Sequence, residues 1–149
     1  MPCRERKGFT LVDVLVSAVI LLIAIYGAIQ FRYHAALQIR KADMHISGAE
    51  LGQMLVETWR GTGGSESFDF VSYFSPVMAI NAGTGPAEPG DFNLHGSYAV
   101  QWEGFDYLTT LSSKELPDGL RALNVIVTWQ MGYSNTDKQI SLTSYADLN

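Results

Sequence analysis

The sequence predicts an α+β protein in which a long N-terminal helix packs on a small C-terminal antiparallel sheet. Three observations carry that expectation. An apolar run spans Phe9 to Phe31, a proline-free stretch rich in helix formers extends it to Arg60, and alternating apolar residues recur between Ser97 and Tyr145. With 149 residues the chain has room for one small domain and an anchor.

Asp13 is the only formally charged residue among the 23 from Phe9 to Phe31. At about 1.5 Å of rise per residue, such a helix is roughly 35 Å long, enough to cross a hydrocarbon core of about 30 Å with modest tilt. A secretory signal peptide has a shorter apolar region followed by a small-residue cleavage site. Here the run is followed by the bulky, polar Arg32, Tyr33 and His34, so a cut before it fits better than one behind it. The expected division is a leader over residues 1–8, a transmembrane segment over 9–31, an amphipathic continuation over 32–60 and a β-rich domain over 61–149. A carboxylate at the centre of a membrane helix costs about 2.5–3.5 kcal/mol, and less toward the interface. Asp13 lies near the helix start, where an acid also suits the positive end of the helix dipole by roughly 0.3–1 kcal/mol.

The helix is expected to continue past the membrane. Gln30 to Arg60 holds no proline, and Ala35, Ala36, Leu37, Ala49, Glu50 and Leu51 favour helix. Leu37, Met44 and Leu51 recur every seven residues, with Tyr33, Leu55 and Trp59 on adjoining positions. That stripe is expected to face the sheet. Gly61, Thr62, Gly63 and Gly64 form a stop signal. A helix from Phe9 to Trp59 would measure roughly 75 Å, unusual for a small globular domain. Gly27 and Gly48 fall inside it and read as ordinary tolerated helix glycines.

From Thr62 to Gly96 the sequence reads as irregular. Gly83, Gly85, Pro86, Pro89 and Gly90 favour turns over ladders, and Phe68, Phe70, Tyr73 and Phe74 read as a loop pinned onto the core. His95 reads as a loop residue. Tyr98, Val100 and Trp102 then alternate along a strand at 97–103. Leu123, Val125, Val127, Trp129 and Met131 alternate along a longer one, with Asn124, Thr128 and Gln130 opposite. A polar turn over 132–137 and a returning strand with Ile140 and Leu142 predict a hairpin, with the 97–103 strand beside it. Trp129 reads as core.

Charge and composition exclude several classes. Residues 1–8 hold three basic side chains and one acidic, leaving 7 basic and 14 acidic in the rest. An acidic chain of this kind does not suit a phosphate-tracking groove, so no nucleic-acid partner is expected. Basic residues on the leader fit a cytoplasmic N-terminus, although Arg32, Arg40 and Lys41 follow the span. Cys3, the only cysteine, lies in the leader, and His34, His45 and His95 are scattered. No metal site and no cofactor are expected. The glycine-rich tracts lack the lysine of a phosphate loop. No catalytic constellation emerges, so the chain does not read as an enzyme.

Gly8, Phe9, Thr10, Leu11 and Val12, behind a basic leader and ahead of an apolar helix, resemble the junction of the prepilin family: type IV pilins, minor pilins and the pseudopilins of type II secretion. Asp13 stands where that family usually has Glu. The resemblance implies cleavage between Gly8 and Phe9 by a prepilin peptidase, N-methylation of Phe9 by the same enzyme, and a pilin-like fold. It also implies an assembly role for Asp13, whose carboxylate would pair with a neighbouring subunit's N-terminal amine. The expected partners are other pilin or pseudopilin subunits, through the N-terminal helix, and the membrane. The expected location is the bacterial inner membrane, with the N-terminus cytoplasmic and the domain outside, and then a filament. The strand, turn and closing strand at the C-terminal end resemble minor pilins of the PilV type. A priming, tip or modification role in a type IV pilus or type II secretion pseudopilus is therefore the leading expectation. The alternative is a membrane-anchored binding or adhesion domain that never polymerises.

Overall fold

The computed structural model describes residues 10–117, 119–130 and 137–147. The chain forms two units, residues 1–40 and 41–149. One helix, α1 (Leu11–Gly61), runs through both. The C-terminal part of α1 packs on an antiparallel sheet, which is the α+β, pilin-like architecture expected. The sheet comprises β1 (Ala79–Ala82), β2 (Asn93–Trp102), β3 (Phe105–Glu115), β4 (Leu120–Gln130) and β5 (Asp137–Asp147), side by side in chain order.

Helix α1 ends where the glycines predict. Gly63 and Gly64 take positive φ of 70° and 66°, a region that side chains with a Cβ seldom enter. Their amides donate to Arg60 O at 2.9 Å and Trp59 O at 3.0 Å, closing the last turn. A short helix, α2 (Phe70–Phe74), follows. Asp69 caps it by accepting the Val71 and Ser72 amides at 3.1 and 3.2 Å.

The core lies between α1 and the inner face of the sheet. Leu51, Leu55 and Trp59 meet Val100, Tyr107, Leu111, Leu123, Val125 and Val127, and Phe70 and Phe74 close one end. Each such large side chain contributes roughly 1.5–3 kcal/mol by leaving water. The Trp59 ring meets Phe70 edge to face at 5.5 Å, so the 68–74 aromatics are pinned onto the core as expected. Tyr73 alone among them stays mostly exposed. The alternation read from Leu123 to Trp129 is correct, and β4 pairs with β5 along its length. Met131 and most of the 132–137 turn lie outside the described residues.

Several expectations are corrected. The 97–103 strand does not lie beside the hairpin, because β3 intervenes between β2 and β4. On its inner face β3 interleaves Thr109 and Ser113 with Tyr107 and Leu111, so the apolar alternation is diluted. Residues 62–96 contain α2, β1 and the start of β2 rather than irregular chain alone. His95 is a strand residue at a register irregularity between Leu94 and Gly96. Its ring lies against Trp59 at 5.1 Å. The helix stripe begins later than its periodicity suggests: Tyr33 and Leu37 are 61% and 38% exposed, since the sheet covers α1 over Met44 to Trp59. Gly48 is a close-packing residue, where an added Cβ would press on Tyr107 and Trp129 at 3.1 and 3.2 Å.

The outer face of β4 is buried too. There Asn124 donates to Ser141 Oγ and Thr143 Oγ1 at 2.9 and 3.0 Å. The 83–92 segment lies against the neighbouring strand, where Thr110 Oγ1 donates to Pro86 O at 2.6 Å and Lys114 pairs with Asp91.

Candidate functional site

The candidate site is the first half of α1. From Leu11 to Phe31 its leucine, isoleucine and valine side chains point in all directions and are solvent-exposed. A helix apolar on every side needs a low-polarity environment all round, which a membrane or a bundle of like helices provides. Helix α1 is the one candidate membrane span among the described residues.

The polar side chains of the segment behave accordingly. Between Thr10 and Phe31 they are Thr10, Asp13, Ser17, Tyr26 and Gln30. Each is hydrogen-bonded within its own helix. Thr10 Oγ1 and Thr10 N donate to Asp13 Oδ2 at 2.6 and 3.1 Å, and Asp13 N donates back to Thr10 Oγ1 at 3.3 Å. Ser17 Oγ donates to Asp13 O at 2.7 Å, and Gln30 Nε2 to Tyr26 Oη at 3.2 Å. In hydrocarbon an unpaired polar group costs several kcal/mol. Each polar side chain of this segment meets part of that cost with at least one bond inside the helix.

Thr10 and Asp13 form a capping box, with Thr10 at the N-cap and Asp13 three residues on. The Thr10 amide at the helix start is thereby satisfied, the Asp13 amide gains Thr10 Oγ1 beside its bond to Thr10 O at 3.0 Å, and the carboxylate is anchored by two donors. The first-turn role read for Asp13 is thus present in the structure. Thr10, its partner, was not singled out from sequence, although Thr10-x-x-Asp13 carries the capping-box signature. Gly8 and Phe9, the predicted cleavage and methylation positions, lie outside the described residues, as does Cys3. Phe9 is bonded directly to Thr10, so the predicted scissile bond is one residue from the box.

Among the described residues no group of three or more His, Cys, Asp or Glu side chains could hold a metal ion. Comparison with known proteins finds no matching family model, no matching curated protein and no matching solved structure.

Proposed function

We propose that the chain is a non-enzymatic minor pilin or pseudopilin. Prepilin peptidase cuts it between Gly8 and Phe9 and methylates the new amine, and the subunit then enters a type IV pilus or type II secretion pseudopilus. The observation that carries this reading is an all-round apolar helix with internally paired polar groups, whose capped start falls two residues after Gly8. Such a helix passes from lipid to a packed bundle of like helices with little change in its surroundings. Before assembly the subunit sits in the inner membrane, leader in the cytoplasm and domain outside. Cleavage places an amine on Phe9, within a few residues of the Asp13 carboxylate, and a neighbouring subunit's amine is the partner that neutralises this charge in the filament. A priming, tip or modification role fits the resemblance to PilV-type minor pilins.

The test is intact-mass and N-terminal analysis of protein expressed with a prepilin peptidase. Wild-type protein should begin at Phe9, and Gly8→Val should retain residues 1–8. A wild-type chain that keeps its leader, or a variant cut like wild type, refutes the site. Asp13→Ala should also lower recovery in sheared filaments, and unchanged recovery would remove the assembly role of that carboxylate.

A further inference from the structure

Two shallow clefts of about 430 and 520 Å³ open beside the C-terminal end of α1 and share Thr62, Ser65 and Ser67. They form one furrow, wholly within residues 41–149. One arm adds Glu66, Arg121 and Asp147, and the other adds Phe68, Asp69, Ser72 and Tyr73.

Charge eliminates one class of ligand. Arg121 is the only cation among the described residues lining the furrow, and its side chain is 9% exposed. Its guanidinium donates to Gly64 O at 2.8 Å and Glu115 Oε1 at 2.7 Å, and lies 3.3 Å from Glu66 Oε1. An anionic ligand therefore meets carboxylates and no free cation. The furrow also lacks the enclosed apolar lining that holds a lipid or another hydrophobic small molecule.

What the walls offer is hydroxyls, carboxylates and an aromatic rim. Ser65 and Ser67 hydroxyls hydrogen-bond each other at 2.9 Å, Thr62 Oγ1 donates to Trp59 O at 2.7 Å, and Ser72 Oγ donates to Asp69 Oδ2 at 2.6 Å. The Thr62 and Ser72 protons are thus directed, and the serine pair uses one of its two protons internally, which leaves hydroxyl lone pairs to accept. Trp59 Nε1 donates to Ser65 O at 3.0 Å, tying this wall to the core. Preorganised walls reduce the ordering cost of binding. At the rim Tyr73 is 57% exposed and backed by Phe68 at 5.3 Å. A sugar ring supplies the complement: hydroxyl donors around its edge and a C–H face for an aromatic ring.

We propose that this furrow binds a neutral saccharide, with Tyr73 stacking on a sugar ring and Ser67, Glu66 and Asp147 accepting its hydroxyls. The site lies wholly within residues 41–149 and does not rest on the pilin reading.

The experiment uses the full chain in phospholipid nanodiscs, since glycosidic detergents would compete. The probes are neutral oligosaccharides of glucose, galactose, mannose and N-acetylglucosamine, with a sialylated oligosaccharide and a lysine-rich peptide alongside, read by calorimetry and by tryptophan fluorescence. At least one neutral saccharide should bind saturably. Tyr73→Ala and Ser67→Ala should each weaken it about tenfold or more, while Tyr73→Phe keeps the ring and most of the affinity. Val77→Ala, exposed and outside the furrow, should change nothing. Near-UV circular dichroism checks that the variants fold, and Ser67→Ala decides if Tyr73→Ala does not. Absence of neutral-saccharide binding at tens of millimolar overturns the proposal. So does binding confined to the sialylated or lysine-rich probe, or affinity unmoved in a folded variant.

Discussion

Gly48→Ala asks how closely the helix and sheet are fitted. An added Cβ would lie 3.1 Å from Tyr107 Cε1 and 3.2 Å from Trp129 Cζ3. Both rings are buried, at 1% and 2% exposure, and neither can swing aside. Alanine gains about 0.8–1.0 kcal/mol over glycine in a helix interior, whereas overpacking a filled core costs about 1–3 kcal/mol. The net expectation is a loss of about 1 kcal/mol. Gly52→Ala supplies the control on the same helix face. Its Cβ would meet Leu142 Cδ1 at 2.9 Å and Val127 Cγ2 at 3.2 Å, but Leu142 is only half-buried and its methyl is the far end of a flexible side chain. There the helix gain offsets most of the crowding, and Gly52→Ala should unfold closer to wild type than Gly48→Ala does. Urea unfolding in micelles, followed by tryptophan fluorescence, reads the relevant unit, because Trp59, Trp102 and Trp129 all lie in residues 41–149. A Gly48→Ala protein as stable as wild type and as Gly52→Ala would refute close helix–sheet contact at this point.

Two further expectations use the same assay. Arg121→Ala should cost about 1.5–3 kcal/mol, since it removes a buried charged donor and leaves Gly64 O without its guanidinium partner. Lys114→Ala breaks only the exposed pair with Asp91 and should cost less than about 1 kcal/mol; equal losses would contradict the contrast. Stability should also depend on pH at both ends. The Ser72 hydroxyl and amide hold Asp69 below the usual carboxylate range, with the Val71 amide adding to this, and Lys114 does the same for Asp91. Depressed values mean stabilisation that is present above the unfolded carboxylate pKa of about 3.9 and lost as pH falls through the folded one. Burial raises Tyr98 and Tyr107, so their contribution is full below about pH 10 and lost as pH rises through the folded values. Asp69→Asn, which still caps α2, should flatten the acid limb of the unfolding midpoint against pH. An unchanged slope would remove Asp69 from that limb.

Elements were legible where one local signal decided them. The glycines at 61–64 end α1 because αL geometry is a property of the residue itself. The alternation from Leu123 to Trp129 marks β4 because every second side chain must enter the core. β3 was hidden because burial there does not track hydrophobicity: Thr109 and Thr110 are fully buried, the latter beneath Pro86. β1 has only four residues, too few for a period to show. At the candidate site, charge and position singled out Asp13, while its partner Thr10 was visible only as a capping signature.

By itself the sequence determined the apolar helix, its stop, the fold class and the one carboxylate in its apolar half. These follow from hydrophobic patterning, backbone propensity and charge within short windows of chain. Tertiary structure alone decided the strand order, the seating of Gly48 against rings 59 and 81 residues further along, and the latch from Arg121 to Gly64. It also decided the furrow that joins residues 62–73 to Arg121 and Asp147. Each of these joins residues far apart in sequence, and no local window records which distant surface will close over it.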